Sequence, residues 1–209
     1  MRVGSLRDDT FLLAHGDDGR LMVPEPAICA GLAGAILVDL LLHHRIAVAD
    51  GRLAVLDPSP TGDPGCDATL EAIGANDAPT GPRAWVAWIS AGAYDRTCDA
   101  MEASGVIKRT TLRRLGVLPV ARCLPTNDED LVRVRSRLRY GAHSSTPPDR
   151  ETAALAGLVR ALRLEAALLL SMPRADLLME LERMSSGNPT TVRQVISAVD
   201  GVISAATYR

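Results

Sequence analysis

The stretch GLAGAILVDLLLHHRIAVADGRLAVLD, residues 31–57, joins a long apolar run to a short alternating pattern. The apolar run extends over 16 residues, from Ala27 to Leu42, and is interrupted by Asp39. It is short for a comfortable bilayer span, and a carboxylate inside a membrane would be costly. Because the run is apolar on every side, it predicts the central helix of a protein core.

The second half of this stretch, RIAVADGRLAVLD, alternates apolar and polar residues on both sides of Asp50-Gly51. An Asp-Gly pair between two such segments is a strong signal for a tight β-hairpin. We interpret the hairpin as scaffold and not as the wing of a DNA-binding module. In the preceding helix, Gly31 and Gly34 would let a neighbouring helix approach closely.

Periodic apolar positions and capping residues predict further helices along the chain. They fall at 5–14 (a helix or a strand), 66–75, 82–104 with a break at Gly92, after a capping box at 126–129, from Pro148 through the apolar run 166–170, from Pro173 to Met184, and from Asn188-Pro189 onward. A second hairpin, with Gly116 near its tip, is predicted for VIKRTTLRRLGVLPVARCL at 106–124. The predicted fold class is mainly α: a single domain over 1–209, built as a helical bundle around a buried central helix, with two short β-hairpins.

The composition fits a globular protein with an aliphatic core. Hydrophobic residues make up 47% of the chain and charged residues 23%, whereas aromatic residues reach only 3%. Few rings are therefore left to stack the bases of a single-stranded nucleic acid. Lys108 is the only lysine among 23 basic residues, and this bias, with abundant Ala and Gly, favours a bacterial source. No apolar signal sequence follows Met1, so we expect a cytoplasmic protein.

Positive charge is concentrated in one segment. Residues 108–139 contain nine basic and three acidic residues, a charge of +6, in a chain whose net charge is −2. Such a segment predicts a face that binds a polyanion. The alternative is a set of ordinary solvated helix faces.

Motifs for catalysis or metal binding are missing. The four cysteines are scattered, without a C-x-x-C pair, so we expect reduced and mostly buried thiols and no zinc site: they are Cys29, Cys66, Cys98 and Cys123. The glycine-rich PTGDPG lacks the Gly-Lys-Ser/Thr of a phosphate-binding loop. We therefore predict that the protein is not an enzyme and has no catalytic residue, no metal and no cofactor.

Several polar positions have both a structural and a chemical interpretation. The adjacent His43 and His44 point about 100° apart on a helix, so we interpret them as surface residues at its end and not as ligands of one ion. We interpret Asp39 as a buried carboxylate satisfied by hydrogen bonds, with a chemical role through a raised pKa as the alternative. His15 and His143 have no obvious partner.

Taken in order, these motifs resemble the Golgi phosphoprotein family, peripheral membrane proteins that bind phosphatidylinositol 4-phosphate. The matching segments cover nearly the whole chain: LRDDTFLLAH, GLAGAILVDLLLHHRIAV, WVAWIS with a helix that ends in GVI, the basic hairpin, AALAGLVRAL and VRQVISAVDGVISAA. The most specific part is the helix with Gly31-Leu32-x-Gly34 and the pair Asp39-Leu40. The resemblance implies a helical core with β-hairpins, docking on membranes through a basic face, and a pocket for the lipid headgroup.

The headgroup pocket that the resemblance implies does not carry over residue by residue. The family has a tryptophan and three arginines at positions that are here Pro24, Ala33, Ala91 and Tyr94. The nearest arginine to the last two is Arg96. The headgroup contacts are therefore expected on Arg96 and on the cations of the second hairpin, Lys108, Arg109, Arg113 and Arg114.

The same hairpin combines these cations with apolar residues: Leu115, Val117, Leu118 and Val120. Basic residues beside an apolar tip suit an anionic membrane surface, at about 1 kcal/mol per charge and about 1.5–3 kcal/mol per buried Leu or Val. The alternative is that the apolar residues pack on the protein's own core. The resemblance also implies self-association through this hairpin.

We therefore predict a non-enzymatic, peripherally membrane-associated protein of the cytoplasm whose partner is an anionic lipid or a phosphoinositide headgroup. Two alternatives use the same basic face. One is a protein–protein adaptor with client proteins or a homo-oligomer as partners, and the other is a nucleic-acid-binding module with RVRSRLR along a phosphate backbone. Low aromatic content and net acidity argue against nucleic acid.

Overall fold

The structure is a computed structural model that describes residues 5–75, 79–114, 118–168 and 171–207. Within these ranges the helices are α1 (Leu6–Leu13), α2 (Glu25–Leu42), α3 (Pro64–Gly74), α4 (Gly81–Ser90), α5 (Ala93–Ala103), α6 (Glu129–His143), α7 (Arg150–Ala161), α8 (Arg174–Ser186) and α9 (Thr190–Thr207). The strands form two antiparallel pairs: β1 (Ile46–Ala49) with β2 (Arg52–Val55), and β3 (Ile107–Arg114) with β4 (Leu118–Pro125). The prediction of a mainly α fold with two short hairpins is confirmed.

Helix α2 lies at the centre of the fold. It packs against α1, α4, α5, α7 and α9, and every residue from Ala30 to Leu41 is buried. A helix surrounded in this way must be apolar on all sides, which explains its composition. It is long and apolar enough to cross a membrane, yet 78% of it is buried inside the protein, as in the core helix of a globular fold.

Two glycines of α2 allow neighbouring helices to approach closely. A Cβ atom on Gly31 would lie 2.6 Å from Cδ1 of Leu162, at the end of α7. A Cβ atom on Gly34 would overlap the side chain of Val199 on α9. The predicted role of these glycines is confirmed, because a Cβ atom at either position would occupy space that a side chain of the neighbouring segment fills.

The short hairpin β1–β2 has the turn that its sequence predicts. Its strands pair from Ile46 opposite Val55 to the turn, where Asp50 and Gly51 have φ angles of 51° and 73°. Two central residues with positive φ are typical of the tightest hairpin turns, for which Asp-Gly is preferred. The break predicted at Gly92 is also confirmed, since this residue has a φ of 67° between α4 and α5.

Helix α1 is held at its N-terminus by two side chains. Oγ of Ser5 accepts a hydrogen bond from the backbone N–H of Asp8, and Oδ2 of Asp39 accepts one from that of Leu6, at 3.1 and 3.0 Å. Burial raises the pKa of the Asp39 carboxyl to about 7, and the backbone N–H of Leu6 opposes the rise. Asp39 is thus a buried, hydrogen-bonded carboxyl group, as predicted.

Two local predictions are wrong. The capping box at 126–129 does not form, because the backbone N–H of Thr126 pairs with Val106 and extends the hairpin; Oδ1 of Asn127 instead accepts from the N–H of Glu129. The helix from Pro148 does not continue through 166–170. It ends at Ala161, since Arg163 takes a left-handed φ of 56°, and residues 165–168 form a 3-10 turn.

Candidate functional site

The hairpin β3–β4 is rooted in the core at its base and leaves it towards its middle. The two strands pair along all eight residues of each, a ribbon of about 26 Å. Ile107 and Cys123 near the base are buried, at 3% and 4% exposure. Thr111 and Ala121, opposite each other further along, are exposed. Solvent access therefore begins within the basic part of the hairpin.

The two cations at the base of β3 have different surroundings. Arg109 forms ion pairs with Asp99 and Glu102 of α5, at 2.7 and 2.6 Å. Its hydrogen bonds hold the pKa of the Glu102 carboxyl below its usual range. Lys108 is exposed, and no described carboxylate pairs with it. Arg109 thus fastens the hairpin to α5, whereas Lys108 offers its charge to solvent.

The turn GDDG at 16–19 lies against β4. The carbonyl oxygen of Gly19 accepts a hydrogen bond from the backbone N–H of Cys123 at 3.0 Å. Gly19 has a φ of 70°, and a Cβ atom there would lie 2.9 Å from the carbonyl oxygen of Cys123, so the contact requires glycine. Asp18 in the same turn lies 3.9 Å from Arg122 and compensates part of its charge.

The distal part of the hairpin carries most of the remaining predicted site residues. Arg113 and Arg114 end β3, and Leu118 and Val120 lie in β4, where only their backbone pairing is described. Leu115 and Val117 lie outside the described residues. The predictions that these side chains contact lipid headgroups or enter the membrane therefore stay predictions.

A cavity of about 830 Å³ lies between α3, α4 and α5. Its walls are mainly small apolar residues, with the half-exposed Trp88 at one side and Arg96 and Asp99 on α5. Asp99 also pairs with Arg109, so the cavity opens beside the base of the hairpin. Of the predicted residues, Arg96 therefore lies on α5 and Arg109 is paired with the same helix.

Arg96 is held by the chain around it. Its guanidinium group donates to the carbonyl oxygens of Ile89 and Ala91, at 2.8 and 2.6 Å, where α4 ends. No described carboxylate pairs with Arg96, which remains exposed. Carbonyl oxygens orient the cation without cancelling its charge, so it stays available to an anion.

The positions at which the resemblance implies a headgroup pocket do not form one in this chain. Pro24 precedes α2, and Ala33 is buried within that helix at 0% exposure. Tyr94 directs its hydroxyl group inward, to His15, and only Ala91 reaches the cavity that Arg96 lines.

Helix α6 uses three of its four arginines within the protein. Arg133 and Arg137 both pair with Asp9 of α1, at 3.2 and 2.7 Å, and Arg135 pairs with Asp17 at 3.1 Å. The side chain of Asp9 is only 1% exposed, and burial raises the pKa of its carboxyl against the opposing effect of the two arginines. Three arginines of RVRSRLR are therefore engaged by acidic residues.

One group of polar side chains was not predicted from the sequence. Nε2 of His15 lies 2.9 Å from the hydroxyl oxygen of Tyr94, which in turn lies 3.6 Å from Sγ of Cys123. The sequence holds no signal for this, because 79 residues separate His15 from Tyr94 and no motif links them. The predicted burial of most cysteines is confirmed, since Cys66, Cys98 and Cys123 are all buried.

Over the described ranges, no group of three or more His, Cys, Asp and Glu residues is arranged to hold a metal ion. The family model of Golgi phosphoprotein 3 (GPP34) matches residues 6–199 of the chain. A search of the curated proteins finds no match. The matched range includes the central helix α2, the hairpin β3–β4 and the cavity beside it.

Proposed function

The chain belongs to the Golgi phosphoprotein 3 (GPP34) family, and on this premise we propose that it is a non-enzymatic peripheral membrane protein. It binds anionic lipid surfaces through the hairpin β3–β4 and the adjoining cation Arg96. The binding is reversible and depends on surface charge. Lipids are the partners, and the binding forms no covalent bond.

The observation that carries this proposal is that the buried residues among the described side chains of the hairpin, Ile107 and Cys123, lie near its base. Its base is fixed by the buried Ile107 and by the ion pairs of Arg109, while its middle is open to solvent at Thr111 and Ala121. The sequence beyond that point, LRRLGVLPV at 112–120, contains two arginines among apolar residues. A ribbon anchored at one end can present such a segment to a membrane without disturbing the core.

The magnitudes support reversible binding. Lys108, Arg113 and Arg114 have no acidic residue close to them in the sequence. Together they would contribute about 3 kcal/mol at an anionic surface. One or two apolar side chains in the lipid interface would add about 2–4 kcal/mol. The sum of about 5–7 kcal/mol corresponds to a dissociation constant between roughly 0.2 mM and 10 µM, which is weak enough to be reversed by salt.

Vesicle flotation tests the proposal directly. The purified chain is mixed with vesicles of phosphatidylcholine alone or with about a third phosphatidylglycerol, at low and at high salt. We expect flotation only with the anionic vesicles, its loss at high salt, and its loss in the double variant Arg113→Glu/Arg114→Glu.

A matched control has the same change of charge elsewhere on the surface. Arg52 on β2 and Arg139 on α6 are exposed and pair with no described carboxylate, so Arg52→Glu/Arg139→Glu reverses two charges outside the hairpin. We expect this control to float nearly as well as the unaltered chain. If both double variants lose binding equally, net charge and not the hairpin decides association.

The headgroup preference follows from the missing family pocket. Because Ala33 is buried and Tyr94 points inward, recognition rests on surface charge. At equal surface charge, we expect equal flotation with vesicles that contain phosphatidylglycerol or phosphatidylinositol 4-phosphate. A tenfold preference for the phosphoinositide would show that a specific pocket exists after all.

Duplex DNA serves as a competitor that separates this proposal from nucleic-acid binding. Arg133, Arg135 and Arg137 are paired with acidic residues, so α6 offers little charge to a phosphate backbone. We expect DNA at physiological salt neither to bind nor to displace the protein from vesicles. Displacement would favour the nucleic-acid alternative.

A further inference from the structure

Two thiols face each other behind the base of the hairpin. Sγ of Cys98 on α5 lies 3.8 Å from Sγ of Cys123 on β4. Both residues are buried, at 2% and 4% exposure. A modest adjustment of the two side chains would bring the sulfur atoms to bonding distance. A disulfide between them would join α5 to β4 of the hairpin.

A chain of hydrogen bonds connects this pair to a base. Nδ1 of His15 lies 2.8 Å from the carbonyl oxygen of Phe11, and a carbonyl only accepts, so Nδ1 carries the proton of the neutral ring. Nε2 is then an acceptor, and the hydroxyl group of Tyr94 donates a hydrogen bond to it at 2.9 Å. The hydroxyl oxygen is left to accept from the thiol of Cys123 at 3.6 Å.

This direction of the hydrogen bonds gives the two cysteines different roles. When Cys123 loses its proton to the hydroxyl oxygen of Tyr94, the proton of Tyr94 passes to His15, and imidazolium balances the new thiolate. The thiol of Cys98 then donates to that thiolate. The hydrogen bond from Cys98 lowers the pKa of the Cys123 thiol, burial opposes this, and contacts with His15 and Tyr94 add to the lowering. The same contact with Cys123 raises the pKa of Cys98.

We propose that Cys98 and Cys123 are a redox-active dithiol that a small hydroperoxide oxidises reversibly to a disulfide. The Cys123 thiolate attacks one peroxide oxygen, the O–O bond breaks, and the leaving oxygen takes the proton held on His15. Cys98 then attacks the resulting sulfenic sulfur, the S–O bond breaks, and hydroxide leaves with the thiol proton. Two thiols and hydrogen peroxide give a disulfide and two waters; a dithiol reductant restores the thiols by exchange.

The surroundings restrict the oxidant to a small molecule. Both thiols are buried, and the turn 16–19 covers β4 through the hydrogen bond between Gly19 and Cys123. The other two cysteines lack these features. Cys29 is partly exposed and Cys66 is buried, burial raises the pKa of both thiols, and neither has a described thiol partner.

The test treats the full chain, with Cys29→Ser/Cys66→Ser as background, with hydrogen peroxide and maps the products by mass spectrometry. We expect one intramolecular bond, Cys98–Cys123, that dithiothreitol removes. In Cys98→Ser, oxidation should stop at a sulfenic acid on Cys123 that a 1,3-dione traps. In Cys123→Ser, Cys98 should stay reduced under the same conditions.

Tyr94→Phe separates this role from simple proximity of two thiols, because it keeps the ring and removes the relay to His15. We expect disulfide formation to slow by about tenfold or more. Each unit by which the pKa of the Cys123 thiol rises in the variant reduces the thiolate fraction about tenfold. Circular dichroism establishes that the variant is folded. Three results would overturn the proposal: no cross-link in the folded background chain, a trapped sulfenic acid on Cys98 instead of Cys123, or an unchanged rate in Tyr94→Phe.

Discussion

Helix α6 and the hairpin β3–β4 are neighbours in sequence and both rich in arginine, yet the fold pairs their charges with acidic residues to different extents. On α6, Arg133 and Arg137 turn inward to the buried Asp9. In the hairpin, Lys108 faces solvent and the arginines at 113 and 114 continue a ribbon that has already left the core. On α6 the cations hold helices together, whereas in the hairpin Lys108 is exposed without a described carboxylate partner.

This difference shows that a count of charges along a sequence does not give the charge available to a partner. The segment 108–139 carries +6 by its own residues. Its α6 part is compensated by acidic residues of α1 and of the turn after it, more than 110 positions earlier in the chain. Three of the nine cations are therefore compensated within α6, and the polyanion-binding face predicted for the whole segment stays a prediction.

The largest effect is expected when the buried partner of the α6 arginines is removed. In Asp9→Ala, two guanidinium groups lose their shared carboxylate, and a partner lost from a buried ion pair costs about 4 kcal/mol. Urea unfolding followed by circular dichroism measures the change. Asp130→Ala is the control, because its pair with Arg133 is longer, at 3.4 Å, and 40% exposed; it should cost below about 1 kcal/mol. Equal costs would remove the distinction between buried and surface pairs.

The second prediction concerns Asp39, which anchors α1 on the central helix. The folded carboxyl keeps its proton up to a pKa of about 7, whereas its ordinary value is 3.8. Between these values the folded state binds more protons than the unfolded state, so the free energy of unfolding falls as the pH rises from about 4 to 7. Asn cannot ionise, and its carbonyl oxygen can still accept from Leu6. Relative to the unaltered chain, Asp39→Asn should gain about 3.7 kcal/mol between pH 4 and pH 8, measured by urea unfolding. A pH-independent difference would contradict the raised pKa.

Much of the fold is predictable because its signals are local. Apolarity on all sides of α2 requires burial, and Asp50-Gly51 selects a tight turn wherever it stands between alternating segments. The errors arose where a distant contact outweighed the local pattern. Thr126 has the sequence of a helix cap, but strand pairing with Val106 takes its N–H, and α6 begins after Asp128, with Oδ1 of Asn127 accepting from the N–H of Glu129.

The site was less predictable than the fold. Sequence placed the basic hairpin correctly, since alternation and charge are visible along the chain. It could not predict that Arg109 is paired with carboxylates and Lys108 is not, because the partners of Arg109 lie on α5 and only the folded chain brings them near. The relay from His15 to Cys123 depends on three distant segments, and no pattern in one sequence records such an encounter.

The third prediction tests the hairpin half of the comparison. Lys108→Glu reverses an exposed, unpaired charge, so the free energy of unfolding should change by less than about 0.5 kcal/mol. Affinity for phosphatidylglycerol vesicles should fall by about 2 kcal/mol, close to thirtyfold, because each charge near the surface contributes about 1 kcal/mol. Vesicle co-sedimentation and urea unfolding measure the two quantities on the same sample. A variant that loses stability but keeps its affinity would assign Lys108 to the fold and not to the membrane contact.

The smallest effect is expected at the exposed end of the α6 network. Asp17 is 75% exposed and pairs with Arg135 at 3.1 Å, so Asp17→Ala should lower the free energy of unfolding by only about 0.2–1 kcal/mol. The change also frees one arginine on α6. If the hairpin alone meets the membrane, co-sedimentation with anionic vesicles stays within about twofold of the unaltered chain, the residual effect of one charge outside the contact. If α6 also faces the lipid, the freed Arg135 strengthens binding by about 1 kcal/mol, roughly fivefold. That outcome would extend the binding surface beyond the hairpin. It would also show that acidic residues of α1 and of the turn after it prevent the arginines of α6 from binding lipid in the unaltered chain.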